Sequence, residues 1–213
     1  IQSAVFQPLA NLVYVAVPEV EGAKPVDGHY VALPLDGKLD GFNPASGPEL
    51  TPSRRPAPGA IRATALLRQA SAIATEESRF VEAAGLLVEA AKLDPADPAY
   101  PLMAALTYFR AAPTRKGDTV KAAFVARGAE LLDQAERLGL SAYQKALVAL
   151  FRGRVADVLH RDHATARREY QLAATKLSRP LREAAEDGMG SRYKLGAFRK
   201  LVLDFIHVDV FRF

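Results

Sequence analysis

Phe80-Val81-Glu82-Ala83-Ala84-Gly85-Leu86-Leu87-Val88-Glu89-Ala90-Ala91-Lys92-Leu93-Asp94-Pro95-Ala96-Asp97-Pro98 is the stretch on which the reading of this 213-residue chain turns. Its apolar positions Val81, Ala84, Leu87, Val88 and Ala91 recur at three and four, the period of an amphipathic helix. Pro95 cannot continue that helix, because it lacks the N–H and its ring clashes with the preceding turn. Asp97 can accept the free N–H groups of a following helix, and Pro98 is tolerated at that helix's first position. The segment therefore reads as one helix stopping and the next one starting within a few residues, which is the joint of a helical hairpin stack.

The same pattern extends both ways. Upstream, Leu67, Ala70 and Ala74 form a stripe of their own. Downstream, Ala104, Ala105 and Tyr108 fall on a helix of about 98–111, and Gly128-x3-Leu132-x2-Ala135 followed by Leu138 closes a second one. Ser141-x2-Gln144 is a capping box, with Ala146, Leu147, Leu150, Gly153 and Ala156 on the helix it opens. Asp162 can cap a further helix that carries Ala166-x3-Tyr170-x2-Ala173 and ends at Leu177-Ser178. Pro180–Glu186 predicts one more, shorter helix, and Gly188-Met189-Gly190-Ser191 reads as a loop.

The flanks differ in character. Residues 1–60 hold 9 of the 14 prolines. Two β-type runs stand out, Leu12–Val17 and His29–Leu33, each closed by a proline, with Asp-Gly turns around them. The stretch from Asn43 to Gly59 cannot be a helix and reads as an extended linker or a strap along another surface. At the other end, Phe198, Leu201, Val202 and Phe205 have helical spacing, whereas Phe205 to Phe211 alternates. The expectation is a helix to about Phe205 and then an extended end. The domains expected are thus a proline-rich arm with short strands at 1–60, a helical domain at 61–190, and a C-terminal helix and tail at 191–213.

Composition narrows the function classes. The chain is 49% apolar, too hydrophobic for a disordered segment. No cysteine is present, which removes disulfides, thiolate metal sites and thiol catalysis. No run of 18 apolar residues occurs, so no transmembrane helix is expected. The chain opens on Ile1, and Ile1–Val17 lacks the basic start of a signal peptide. A missing Met start, the absent cysteine and the proline-rich arm lean toward a processed bacterial protein of the periplasm or cell envelope rather than the cytoplasm.

Residues 64–97 resemble a unit of the tetratricopeptide-repeat family, whose two antiparallel helices in about 34 residues follow W-x2-L-G-x2-Y, A-x3-F and P. Here Leu67-x2-Ala70-Ser71-x2-Ala74, then Ala83-x3-Leu87-x2-Ala90, then Pro95 stand at the matching positions. Ala74 replaces an aromatic residue and Ser71 a glycine. A stretched second unit and a degenerate third carry the likeness to about 178. Ala90 and Ala135 lie 45 positions apart, about 11 more than one repeat, with the surplus around Pro113–Asp118 and in a long second helix. The resemblance implies a mainly α fold, an antiparallel helix-hairpin repeat stack or α-solenoid. Such units cannot bury their faces singly, and the stacked hairpins present a groove for peptides.

Chemistry-bearing groups are sparse. His160-x2-His163, with Asp162 between, is the nearest approach to a metal set; it lacks a third ligand, and His29 and His207 are distant in sequence. The acidic pairs Glu76-Glu77, Asp94/Asp97 and Glu183/Glu186/Asp187 fall at helix ends, where they serve caps and dipoles. No nucleophile motif or phosphate-binding loop occurs. A non-catalytic chain without cofactor or bound metal is the expectation, and an enzyme with a helical accessory region is the minor alternative.

Residues 151–200 carry 12 Lys and Arg against 6 Asp and Glu, and Arg152, Arg154, Arg161, Arg167, Arg168 and Arg179 predict a basic face. Such a face suits an acidic protein segment or anionic lipid head groups. Aromatic residues are not interleaved with these arginines, which argues against single-strand binding, and nucleic acid ranks below those two partners. On the helices expected to line the groove, Arg68, Tyr108, Arg110, Arg152 and Arg154 are candidate partner contacts. The apolar tail adds Phe205, Val208, Val210, Phe211 and Phe213, which would pair within the chain or with a neighbour. The functional expectation is a protein–protein interaction scaffold within a multiprotein assembly, with a free-standing peptide-binding adaptor as the alternative.

Overall fold

The computed structural model describes residues 4–7, 12–17, 29–34, 59–76 and 79–200. The chain divides into two compact units, residues 1–65 and 66–213. Among the described residues it is mainly α, with seven α-helices.

The first unit holds a three-stranded antiparallel sheet in the order β1-β2-β3: β1 is Ala4–Gln7, β2 Leu12–Val17 and β3 His29–Pro34. Gln7 pairs with Leu12 across the first hairpin, and Val17 pairs with His29 across the second. The β-branched run at 12–17 takes the central position. β1 is a strand that the sequence reading did not single out. Pro34 ends β3, an edge strand, where a residue without an N–H costs the ladder least.

The helices are α1 (Ala60–Glu76), α2 (Phe80–Leu93), α3 (Ala99–Ala111), α4 (Asp118–Arg137), α5 (Ala142–Val155), α6 (His163–Ala174) and α7 (Leu181–Gly190). In the second unit α2 packs on α3, α3 on α4, α5 on α6 and α6 on α7, while α4 meets α5 over a shorter seam. One apolar cluster joins Ala70 and Ala74 of α1 to Ala83 and Leu87 of α2, and runs on through α3 to α6 as far as Ala185 of α7 and Phe198. Alanine and glycine allow this closeness. A Cβ on Gly153 of α5 would stand 2.6 Å from Cε1 of Tyr170, and one on Gly188 of α7 2.7 Å from its Cε2, so the ring is clamped between bare backbones.

The helix ends are specified locally. The carboxylate of Asp97 accepts the N–H of Ala99 at 2.9 Å. Ser141 and Gln144 form the reciprocal capping box at the start of α5. Gly139 follows α4 with a φ of 90° and its N–H reaches the Glu136 carbonyl, a left-handed position that favours glycine.

Two expectations are corrected. Gly188-Met189-Gly190 is not a loop but the last turn of α7; the glycine at 188 serves the close approach of the Tyr170 ring rather than a turn. Nor do the described residues after α7 form an α-helix: residues 191–194 are irregular and Leu195–Lys200 is a 3-10 turn, while the part of the expected helix at 201–205 lies outside the described residues. The Tyr193 N–H is taken by a side chain, Asp157, which diverts it from a helical ladder. The residues expected to be extended, 205–213, lie outside the described residues.

Candidate functional site

The third hairpin contains a buried polar centre. After α5 the helix widens into a π-turn, Ala156–His160, and then reverses at Arg161, which adopts the left-handed conformation with a φ of 52°. The Asp162 N–H returns to the Ala156 carbonyl at 3.1 Å, closing the turn, and the Asp162 carboxylate then caps α6 by accepting the Thr165 N–H at 3.0 Å. Hydrogen bonds from the Thr165 hydroxyl and N–H hold the Asp162 carboxyl below its ordinary range.

The π-turn places Asp157 inward, with its side chain 0% exposed. Three donors meet it. His163 Nδ1 lies 2.8 Å from Oδ1. The Tyr170 hydroxyl donates to Oδ2 at 3.0 Å and the Tyr193 N–H to the same oxygen at 2.9 Å. A carboxylate so placed fixes the imidazole's orientation, with Nδ1 carrying the proton toward Oδ1. Burial raises the Tyr170 phenol above its ordinary value, and the hydrogen bond to Asp157 adds to that. Asp157 thus ties the end of α5 to the start and middle of α6 and to the segment after α7.

Arg154 lies beside this centre. Its guanidinium carbon stands 4.7 Å from the Phe151 ring centroid and 4.6 Å from that of Tyr193, so two aromatic rings flank the cation. Its Nε is buried and has no hydrogen-bond partner. Burial pulls the guanidinium below its ordinary value, with the Tyr193 and Tyr170 phenols acting in the opposite sense.

The residues singled out from the sequence are not brought together. Arg68 is exposed on α1. Arg110 lies over the Phe80 ring at 4.7 Å, and Tyr108 meets Phe124 edge-on at 5.7 Å. Arg152 bridges α5 to α4, with a 2.5 Å contact to Asp133 and a 2.7 Å contact to Glu136. Burial pulls the Arg152 guanidinium down, but the Asp133 and Glu136 hydrogen bonds outweigh this and leave it above its ordinary value.

Arg154 departs from the expected basic face because it is only 8% exposed. The helix turns it onto Phe151, three positions earlier, rather than toward solvent. Phe205, Val208, Val210, Phe211 and Phe213 lie outside the described residues. Of the two histidines weighed for a metal, His160 is exposed and His163 is held by Asp157. Among the described residues no group of three or more His, Cys, Asp or Glu is arranged to hold a metal. No described helix is long and apolar enough to cross a membrane.

Asp157 itself was missed by the sequence reading. Its one signal is a lone acid at the end of the apolar face of α5, in Val155-Ala156-Asp157-Val158-Leu159. Comparison of the chain with family patterns, with curated proteins and with solved structures finds no match.

Proposed function

We propose that the chain is a non-catalytic protein–protein interaction scaffold of tetratricopeptide-like helical hairpins, acting as a structural component of a larger assembly. The observation that carries this reading is the packing order. From α2 to α7 most helices pack chiefly on their neighbours in sequence, and one core runs through them. That is how repeat stacks are stabilised, and their surfaces are used for binding. The polar centre at Asp157 fits the same reading: its oxygens are occupied by donors that join separate elements. A free-standing adaptor is the second reading; the half-buried Tyr108 and Arg110 at the end of α3 favour it.

Native-cell cross-linking followed by sizing of the tagged chain tests the proposal. The expected result is recovery in a complex of fixed stoichiometry. Recovery only as a free monomer at its native concentration overturns the assembly reading.

A further inference from the structure

We infer that the projecting first turns of α4, together with the 3-10 turn Ala112–Thr114 and the end of α3, form a docking surface for an acidic protein segment that carries apolar side chains. The inference rests on the scaffold reading and names the chemistry of a partner.

Three observations converge on this surface. The first is its shape. Along α4 no residue is fully buried until Val125; of 118–124 only Lys121 and Phe124 are even half-buried. This part of α4 lies where the chain exceeds the repeat length, and insertions in repeat proteins commonly fall on a binding face. The second is its apolar content. Val120 is 45% exposed and adds a large apolar side chain to this face. Phe124 lies one helical turn further on the same face, with Tyr108 of α3 edge-on to it.

The third is charge. Arg115 stands 5.8 Å over the Phe124 ring and donates from Nε and one terminal nitrogen to Thr114 Oγ1, at 3.1 and 3.0 Å. That hydroxyl holds the guanidinium in place without neutralising it. Among the described residues neither Arg115 nor its exposed neighbour Lys116 meets a carboxylate. Lys121 pairs with Asp118 at 3.1 Å and Arg127 with Glu130 at 2.6 Å, so those charges are already balanced.

The surface thus offers an apolar strip, Val120 and Phe124, beside two uncompensated cations. An occupant that covers Val120 and Phe124 and brings carboxylates to Arg115 and Lys116 is complementary to this surface, whereas like charge there would be repelled. A short amphipathic acidic helix or an extended acidic segment with one or two large apolar residues satisfies both demands.

Fluorescence anisotropy with the full chain tests this. The probes are a labelled synthetic peptide of alternating Glu and Leu, the same peptide with Lys for Glu, and one with Ser for Leu. Vesicles of phosphatidylserine form a separate arm. The Glu/Leu peptide should bind at least about tenfold more tightly than either control, and Val120→Glu or Arg115→Glu should weaken it by about tenfold or more. Both residues are exposed, so an unchanged circular-dichroism melt establishes that each variant is folded. Equal binding of the three peptides, unchanged binding by both variants, or binding of vesicles but not of the peptide overturns the inference.

Sizing of cross-linked complexes separates the two levels. Peptide binding that fails while the chain still sits in its native complex removes this surface and leaves the scaffold reading standing. A chain that is monomeric in cells removes the scaffold reading, whatever the peptide does.

Discussion

At Asp157 one carboxylate meets donors lying 6, 13 and 36 positions away in the chain. A buried carboxylate is tolerable only when so satisfied, because each unmet partner costs about 1–3 kcal/mol. Tyr170 makes this testable through pH. Burial and the Asp157 hydrogen bond keep its phenol protonated, raising it well above its ordinary value. In the unfolded chain the same phenol ionises at about pH 10. Below that pH both states hold the proton and the contribution is fully present. Above it the unfolded state releases a proton that the folded state keeps, so stability falls by about 1.4 kcal/mol per pH unit. Tyr170→Phe should therefore lower stability near neutrality by about 1 kcal/mol through the lost hydrogen bond. Its decline between pH 10 and 11.5 should be shallower than that of the parent by about one proton. Urea unfolding at a series of alkaline pH values measures both, and parallel alkaline slopes would rule out the assigned role of the phenol. Tyr193, which burial also raises, contributes in the same sense in both proteins.

The elements show what a sequence can declare and what it cannot. The hairpin joints are local: Ser141 with Gln144, Asp97 before α3 and Asp162 before α6 each act within a few residues, and each can be read from spacing alone. The turn between α5 and α6 is different. The chain reverses there with Arg161 left-handed, a conformation in which an L side chain costs about 1–2 kcal/mol and for which glycine is the usual residue. Nothing about an arginine announces it. Arg161 is exposed, so the substitution can be made without disturbing the core. Arg161→Gly should raise stability by about 0.5–1 kcal/mol and leave the Asp157 contacts in place. A thermal melt showing a lower midpoint for the variant would mean that the arginine supplies more than the strained backbone costs. Arg154 was illegible for a related reason. A count of basic residues assigns it to a surface, whereas the phase of α5 sets it between Phe151 and Tyr193, and Tyr193 comes from a segment nearly forty positions later. The helical period at Phe198 misled in the same way, since it reported burial correctly but not conformation.

Across the second unit, packing is strong within α2–α4 and within α5–α7 and thinner between α4 and α5. Besides a hydrogen bond from Arg199 to the Pro113 carbonyl at 3.1 Å, two contacts between these halves stand out. Arg152 reaches back to Asp133 and Glu136 on α4. Its contribution is modest, because all three side chains are at least a third exposed and water screens them. The other is aromatic and dry. Phe109 of α3 stacks on Phe151 of α5 at 5.5 Å, and on Phe198 of the terminal 3-10 turn at 5.2 Å. Tyr193 closes the column edge-on against Phe198 at 4.9 Å. Each such pair contributes about 0.5–1.5 kcal/mol beyond the area it buries. Phe198 is fully buried, yet it sits on a short 3-10 turn rather than within a packed hairpin. Its removal should weaken the coupling between the two halves more than either half itself. Nearest-neighbour stacks lose cooperativity when one interface falls well below the rest. Phe198→Ala is therefore expected to cost about 3–5 kcal/mol and to broaden urea unfolding, with amides of α5–α7 exchanging at lower denaturant than those of α2–α4. Loss of protection at the same urea concentration across α2–α7, in a transition as sharp as the parent's, would show that Phe198 supports the core as a whole and that the α4–α5 seam is not its weak interface.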